Sequence, residues 1–339
     1  MTKDKKAARP TMTDVASRAG VSQMTVSRVI NNKGYISGDV RRKVEAAADE
    51  IGYMQNRLAH SLRSKNTRII AVVLPSLGNT VFTDTLSGVT DAVAQQGFRP
   101  VFGVTEYSQS RENELVRDLL TWQPYGILLA GLEHSDDTRN AIEASGTRVA
   151  EIMDIDGTPM SVAFGLSQKR AGEVTAQYML GKGYRRFAYI GSLGGRDLRA
   201  TKRFNGFLET LIQAGATCIS KDIASLPSSM VEGLRMTAKV MARLEKPDAI
   251  YYANDDLAAG GIMYCIANNI KIPEDVALAG FNGLPFLDSL PIQLTTVRTP
   301  RYEMSRQAGQ FLVGSSQQPS TSSESFIDVG FKLIPGETC

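Results

Sequence analysis

Apolar residues in the first fifty positions recur at helical spacing in three short blocks. Val15, Ala16 and Ala19 share one face of the first block. Val26, Val29 and Ile30 share a face of the second, over residues 23–30, and Val40, Val44, Ala47, Ala48 and Ile51 share a face of a third that begins after Ser37. Recurrence at i, i+3 and i+4 predicts three amphipathic helices around one small core. From Arg68 the pattern changes. Residues 69–74 form an unbroken apolar run of strand length, followed by a helical segment at 82–95, a strand near 100–104, a helix at 111–122, and strands at 126–129 and 148–152 with a helix between them. The rhythm restarts with helix 167–182, strand 187–190, helices 200–214 and 230–244, strand 249–252, helix 255–268 and strand 276–281. Such alternation predicts parallel sheets with helices on both faces. Two groups of this kind predict two lobes and a cleft at the carboxyl ends of their strands, where open α/β sheets bind ligands. The fold class is therefore α/β, a two-lobed core of parallel sheets flanked by helices, preceded by an all-α head. Residues 314–325 are rich in Ser and Gln and read as an exposed loop, and a last strand over 326–333 is expected to return to the second lobe.

Local signals set the limits of the head helices. Thr11 and Asp14 have the spacing of a capping box, with Asp in place of the usual Glu or Gln. Gly20 stops the first helix, Ser22 is a good N-cap for the second, Asn31 and Asn32 end it, and Gly52 follows the third. Two short helices joined by a Gly-containing turn and buttressed by a third make a helix-turn-helix unit.

Charge sharpens this picture. The net charge of +3 hides an asymmetry: residues 1–66 hold 13 Lys and Arg against 6 Asp and Glu, and the remaining chain 25 against 29. A basic head on a mildly acidic body points to a nucleic-acid partner for the head, double-stranded DNA in the case of this motif. The second helix then enters the major groove. On it, Arg28 suits guanine or phosphate, Gln23 suits adenine, and Met24 offers apolar contact. Ser22, Thr25 and Ser27 are short hydroxyl donors for phosphates, and Thr11 and Asn31 belong to the same expected DNA-facing set. The three scattered cysteines (Cys218, Cys265, Cys339) and the absence of an N-terminal apolar stretch predict a reduced, cytoplasmic protein. No apolar run approaches the roughly 18–20 residues of a membrane span. With two histidines in the chain, no metal and no cofactor are expected.

These residues carry a resemblance. Thr13-Asp14-Val15-Ala16, Ala19-Gly20-Val21-Ser22 and Thr25-Val26-Ser27-Arg28-Val29 resemble the headpiece of the LacI/GalR family of bacterial repressors. Ile51-Gly52-Tyr53, Asn56-Arg57-Leu58-Ala59 and Leu62 resemble that family's hinge, with Gln55 where the family usually has proline. The resemblance implies a hinge that folds on operator DNA, with Asn56, Arg57 and Ala59 at the DNA and Leu62 wedged into the minor groove. The organisation it implies is a basic tail (1–10), a helix-turn-helix domain (11–55), a hinge (56–66) and a periplasmic-binding-protein-like core (67–339). The first lobe takes about 67–166 and 298–325, and the second about 167–297 and 326–339.

The resemblance also implies an effector site in the cleft, built from Asn79, Phe82, Asp154, Phe164, Arg203, Asn254, Asp255 and Asn282. Asn282 stands where the family commonly has aspartate. That exchange removes a negative charge beside the ligand and so favours an anionic sugar, with Arg203 making a charge-assisted contact to its carboxylate. Met24, Glu151-Ile152-Met153-Asp154, Gly157-Thr158-Pro159 and Asp255-Asp256-Leu257-Ala258 resemble the gluconate-operon branch, which implies gluconate or a related aldonic or keto-aldonic acid. A corepressor or a neutral-sugar effector is the alternative. Glu133-His134 reads as a loop pair after the third strand, its histidine solvated.

Two other classes compete. An enzyme lacks support, because no nucleophile elbow, P-loop, HExxH or Cys-x-x-Cys occurs. A transport-type binding protein matches the core but not the basic head. The expected mechanism is a switch: a symmetric homodimer grips paired half-sites, and an effector that binds two core states unequally changes that grip.

Overall fold

The structure is a computed structural model that describes residues 10–32, 34–54, 67–314 and 325–339. Residues 1–9 of the basic tail, Gln55, the hinge positions Asn56, Arg57, Ala59 and Leu62, and most of the Ser/Gln-rich segment lie outside the described residues. The chain divides into two compact units, Met1–Lys65 and Asn66–Cys339.

The first unit holds α1 (Met12–Ala19), α2 (Gln23–Ile30) and α3 (Gly38–Glu50). Thr11 and Asp14 form the capping box reciprocally, the Thr11 N–H donating to the Asp14 carboxylate at 2.7 Å and the Asp14 N–H to the Thr11 hydroxyl at 3.3 Å. The Thr11 hydrogen bonds hold the Asp14 carboxyl below its usual range. Gly20 takes the left-handed conformation (φ 67°) that turns the chain into α2. Val15, Ala16, Val26, Val29, Val44 and Ala47 close one small apolar core.

The second unit has the two predicted lobes. The first contains β1 (Ile69–Leu74), α4 (Val81–Ala94), β2 (Arg99–Val104), α5 (Gln109–Thr121), β3 (Gly126–Ala130), α6 (Asp136–Ser145), β4 (Arg148–Ile152) and β5 (Val162–Gly165). The second contains α7 (Gln168–Gly181), β6 (Arg186–Gly191), α8 (Leu198–Gln213), β7 (Thr217–Ile223), α9 (Met230–Met241), β8 (Ala249–Tyr252), α10 (Asp255–Ala267) and β9 (Ala277–Ala279). Then come β10 (Thr296–Arg298), α11 (Arg301–Val313), β11 (Phe326–Asp328) and β12 (Lys332–Ile334). The first sheet runs β11-β5-β4-β3-β1-β2 and the second β7-β6-β8-β9, with all neighbours parallel. Each sheet packs an apolar core against its helices.

Three strands escape the sequence pattern, among them β10 with three residues. β5 has only four residues. β7 is an edge strand that is mostly half-exposed, so neither a long apolar run nor a clean alternation marks it. The expected last strand over 326–333 is instead two. Phe326–Asp328 joins β5 at the edge of the first sheet, not the second lobe. Gly330 (φ 68°) then turns the chain, its N–H bonded to the Asp328 carboxylate at 2.8 Å, and Lys332–Ile334 pairs antiparallel with β10. The chain thus passes between the lobes three times, after β5, after β10 and between β11 and β12. A small apolar cluster of Leu166, Ala171, Phe281 and Val297, flanked by Phe331 and Leu333, sits at these passages.

Candidate functional site

Strand order reverses at β1 in the first sheet and between β6 and β8 in the second. Loops leaving these reversals face a cleft of about 510 Å³, counting the part open to solvent. Its wall from the first lobe comes from Asn79 and Phe82 after β1, Tyr107 after β2, Met153 after β4, and Arg301 at the start of α11. The second lobe contributes Gln168, Asp197, Arg199 and Arg203, with Asn254, Phe281 and Asn282.

Five of the eight effector residues expected from the sequence meet here: Asn79, Phe82, Arg203, Asn254 and Asn282. Arg203 is 5% exposed. Its guanidinium lies 3.7 Å from the centre of the Phe281 ring and donates to the Gln168 side chain at 2.5 Å and to the Ala253 carbonyl at 2.9 Å. Its Nε is buried without a partner. Asn282 holds a positive φ of 120°, and its carbonyl accepts from Arg301. Its side-chain amide has no hydrogen bond among the described residues. Asn254 caps α10, accepting the Leu257 N–H at 3.2 Å and donating to the Ser228 hydroxyl at 2.5 Å.

The other three stand off the cavity wall. Asp154 is fully buried. It accepts from the Lys202 ammonium at 2.5 Å and the Asp156 N–H at 2.9 Å, and burial raises its pKa despite those bonds. Phe164 packs in the first-lobe core, with its ring 5.8 Å from that of Phe311. Asp255 accepts the Thr296 hydroxyl at 2.6 Å and the Leu284 N–H at 3.0 Å, fastening the loops beside the cleft, and burial pushes its pKa up to about 6.

Sequence reasoning missed Tyr107, Gln168, Asp197, Arg199 and Arg301. One signal was available for Arg199: it stands four residues before Arg203 on the same helix and so on the same face. Arg199 donates from Nε to Asp197 at 3.3 Å and from Nη1 to the Met153 sulfur at 3.0 Å. Burial alone would raise the Asp197 pKa, but Arg199 and Arg203 bring it below the ordinary value. Arg301 makes two bonds to Asp84, at 2.8 and 3.1 Å. Burial, with the Asp197 charge, raises the Tyr107 phenol to about 12. The cleft therefore holds three guanidiniums. Two are paired with carboxylates, while Arg203 meets only neutral acceptors.

His134, expected to be solvated, is 8% exposed instead. Its Nδ1 lies 2.7 Å from the Glu112 carboxylate and its Nε2 3.1 Å from the Gly131 carbonyl.

On the head, α2 turns Gln23, Met24 and Arg28 outward, with Met24 65% exposed. Ser22 and Thr25 share a bond at 2.9 Å while Ser22 caps α2, and the Asn31 amide donates back to Ser27. Ser22, Thr25, Ser27 and Asn31 are thus partly engaged with their own helix, unlike the outward trio.

A three-helix head with polar residues outward on α2, and a two-lobed core with a charged cleft, define a DNA-binding class of regulator. Residues 11–56 match the bacterial regulatory proteins of the lacI family, and residues 176–339 match a periplasmic binding protein-like domain. The chain is 36% identical over 333 residues to the HTH-type transcriptional regulator GntR of Pseudomonas aeruginosa, covering 97% of this chain and 96% of that protein. A crystal structure of a LacI-family transcriptional regulator from Silicibacter pomeroyi is similar with a TM-score of 0.90 and 39% identity, over 97% of this chain and 99% of that one. The GntR regulator from Chromobacterium violaceum is similar with a TM-score of 0.74 and 30% identity, over 80% and 98%. This chain belongs to the LacI family and is a transcription regulator, not an enzyme.

Proposed function

We propose that the protein is a repressor whose grip on operator DNA is set by a singly charged sugar acid, gluconate or a related aldonic or keto-aldonic acid, bound in the interlobe cleft. The observation that carries this reading is the charge balance there. Arg199 and Arg301 have carboxylate partners, Arg203 has none, and Asn282 brings an amide in place of a further carboxylate. One uncompensated positive charge in a poorly solvated site favours a monoanion over a neutral sugar. The engagement of Asp154 by Lys202 acts in the same sense, because it takes another carboxylate away from the ligand.

In this reading Gln23, Met24 and Arg28 read the major groove, Thr11, Ser22, Thr25, Ser27 and Asn31 approach phosphates, and Asn56, Arg57, Ala59 and Leu62 act as the hinge. A homodimer places two heads on paired half-sites. The effector acts through unequal affinity for two core states, releasing operator. Calorimetric titration of the purified protein with gluconate, 2-ketogluconate, glucose and sorbitol tests the effector class. The acids are expected to bind at least about tenfold more tightly, one charge-assisted contact being worth that much. Tighter binding of a neutral sugar overturns the reading.

A further inference from the structure

Arg203 and Arg199 face the same cleft from one helix, yet they are not equivalent. Both terminal nitrogens of Arg203 are already engaged, Nη1 with Gln168 and Nη2 with Ala253, and its Nε is sealed from solvent. Phe281 covers a face of its guanidinium. Arg203 is therefore a tethered positive charge, with one N–H on each terminal nitrogen already committed to the protein. Arg199 is the reverse case. It is 8% exposed and lines the cavity. Its Nε is spent on Asp197, but its Nη1 has only the Met153 thioether, a weak acceptor. Its Nη2 has no hydrogen-bond partner among the described residues. That nitrogen opens on the cavity, where an arriving acceptor can take it without displacing a protein partner. An edge presenting two parallel N–H groups is complementary to a carboxylate.

We infer that Arg199 is the residue that selects the effector's carboxylate: it supplies the bidentate donors, and Arg203, one turn away, supplies the uncompensated charge. Met153 is the stand-in acceptor that the carboxylate displaces from Nη1. This assignment rests on the sugar-acid reading and specifies which atoms carry it.

The test compares gluconate with gluconamide, a neutral ligand of nearly the same shape, on full-length protein. The wild type is expected to prefer gluconate by at least about tenfold. Arg199→Gln and Arg199→Met, each checked for a cooperative melt, are expected to bring that ratio close to one, mainly by weakening gluconate. A folded variant that keeps the wild-type ratio overturns the inference. A crystal structure of the wild type with gluconate decides independently of any variant: the carboxylate is expected within hydrogen-bond distance of Nη1 and Nη2 of Arg199, and a carboxylate seated elsewhere overturns the assignment. If the wild type binds no sugar acid, the functional reading falls and this inference with it. If it binds one with the carboxylate away from Arg199, only the inference falls.

Discussion

His134 is held by acceptors at both ring nitrogens, so both must carry protons, and the imidazolium is the form that satisfies them. Burial alone would lower its pKa. The hydrogen bond and charge of Glu112, with Glu151 at 3.6 Å, instead raise it above the ordinary 6.5. A raised folded-state value contributes stability that is complete below about 6.5 and is lost as pH rises through the folded value. Thermal melts between pH 6 and pH 9 are expected to show this decline, and His134→Gln to remove that component of it. Identical pH slopes for the two proteins would contradict the argument. On the head, Arg28 points outward one turn beyond Met24, and Arg28→Ala is expected to cost about 1–3 kcal/mol of operator affinity, measured by fluorescence anisotropy. At this scale the caps were legible, because a capping box is a local pattern. Asn79, Phe82, Arg203, Asn254 and Asn282 were legible through the resemblance. Arg301 and Tyr107 were not, since what places them in the cleft is a partner far along the chain: Asp84 for Arg301, 217 residues away. Asp154 was legible as a carboxylate at a strand end, but its capture by Lys202 depends on the meeting of two lobes.

Among the elements, α7 and α8 matter most to the site, because α8 carries both cleft arginines that line up one turn apart. The two helices approach so closely that a Cβ on Gly172 would stand 1.9 Å from the Arg203 carbonyl oxygen, and one on Gly206 2.2 Å from that of Lys169. Gly172→Ala must therefore push α8 away from α7. The expected cost is about 1–3 kcal/mol of stability, as for an overpacked core, together with weaker effector binding. Urea unfolding and ligand titration check the two effects. A fully stable variant with wild-type affinity would show that the contact does not set the position of Arg203. Element type was readable for long, periodic stretches such as residues 255–268. β5 and β7 were not, one for its brevity and the other because an edge strand buries too little to leave an alternating signature. The split of residues 326–333 was foreshadowed by Gly330, whose left-handed turn divides the segment.

For the whole molecule, the sign asymmetry between a basic head and an acidic body bears on how operator affinity responds to salt. If phosphate contacts lead binding, log affinity falls linearly with log salt. A titration from about 50 to 200 mM salt is expected to show a steep loss, and a flat response would contradict phosphate-led binding by the head. The two-lobed architecture was readable from alternation alone. The membership of the last strands was not, because parallel register across a sheet is a property of chain segments that never adjoin in sequence.

The three passages between the lobes have a mechanical meaning. One tether leaves two bodies free to twist and slide. Three roughly adjacent tethers around the apolar knot of Leu166, Phe281 and Val297 oppose both motions and leave bending about the knot as the soft direction. A molecule in the cleft can then report itself through one variable, the angle between the lobes. Any ligand that closes that angle to the same degree sends the same message, whatever its remaining groups.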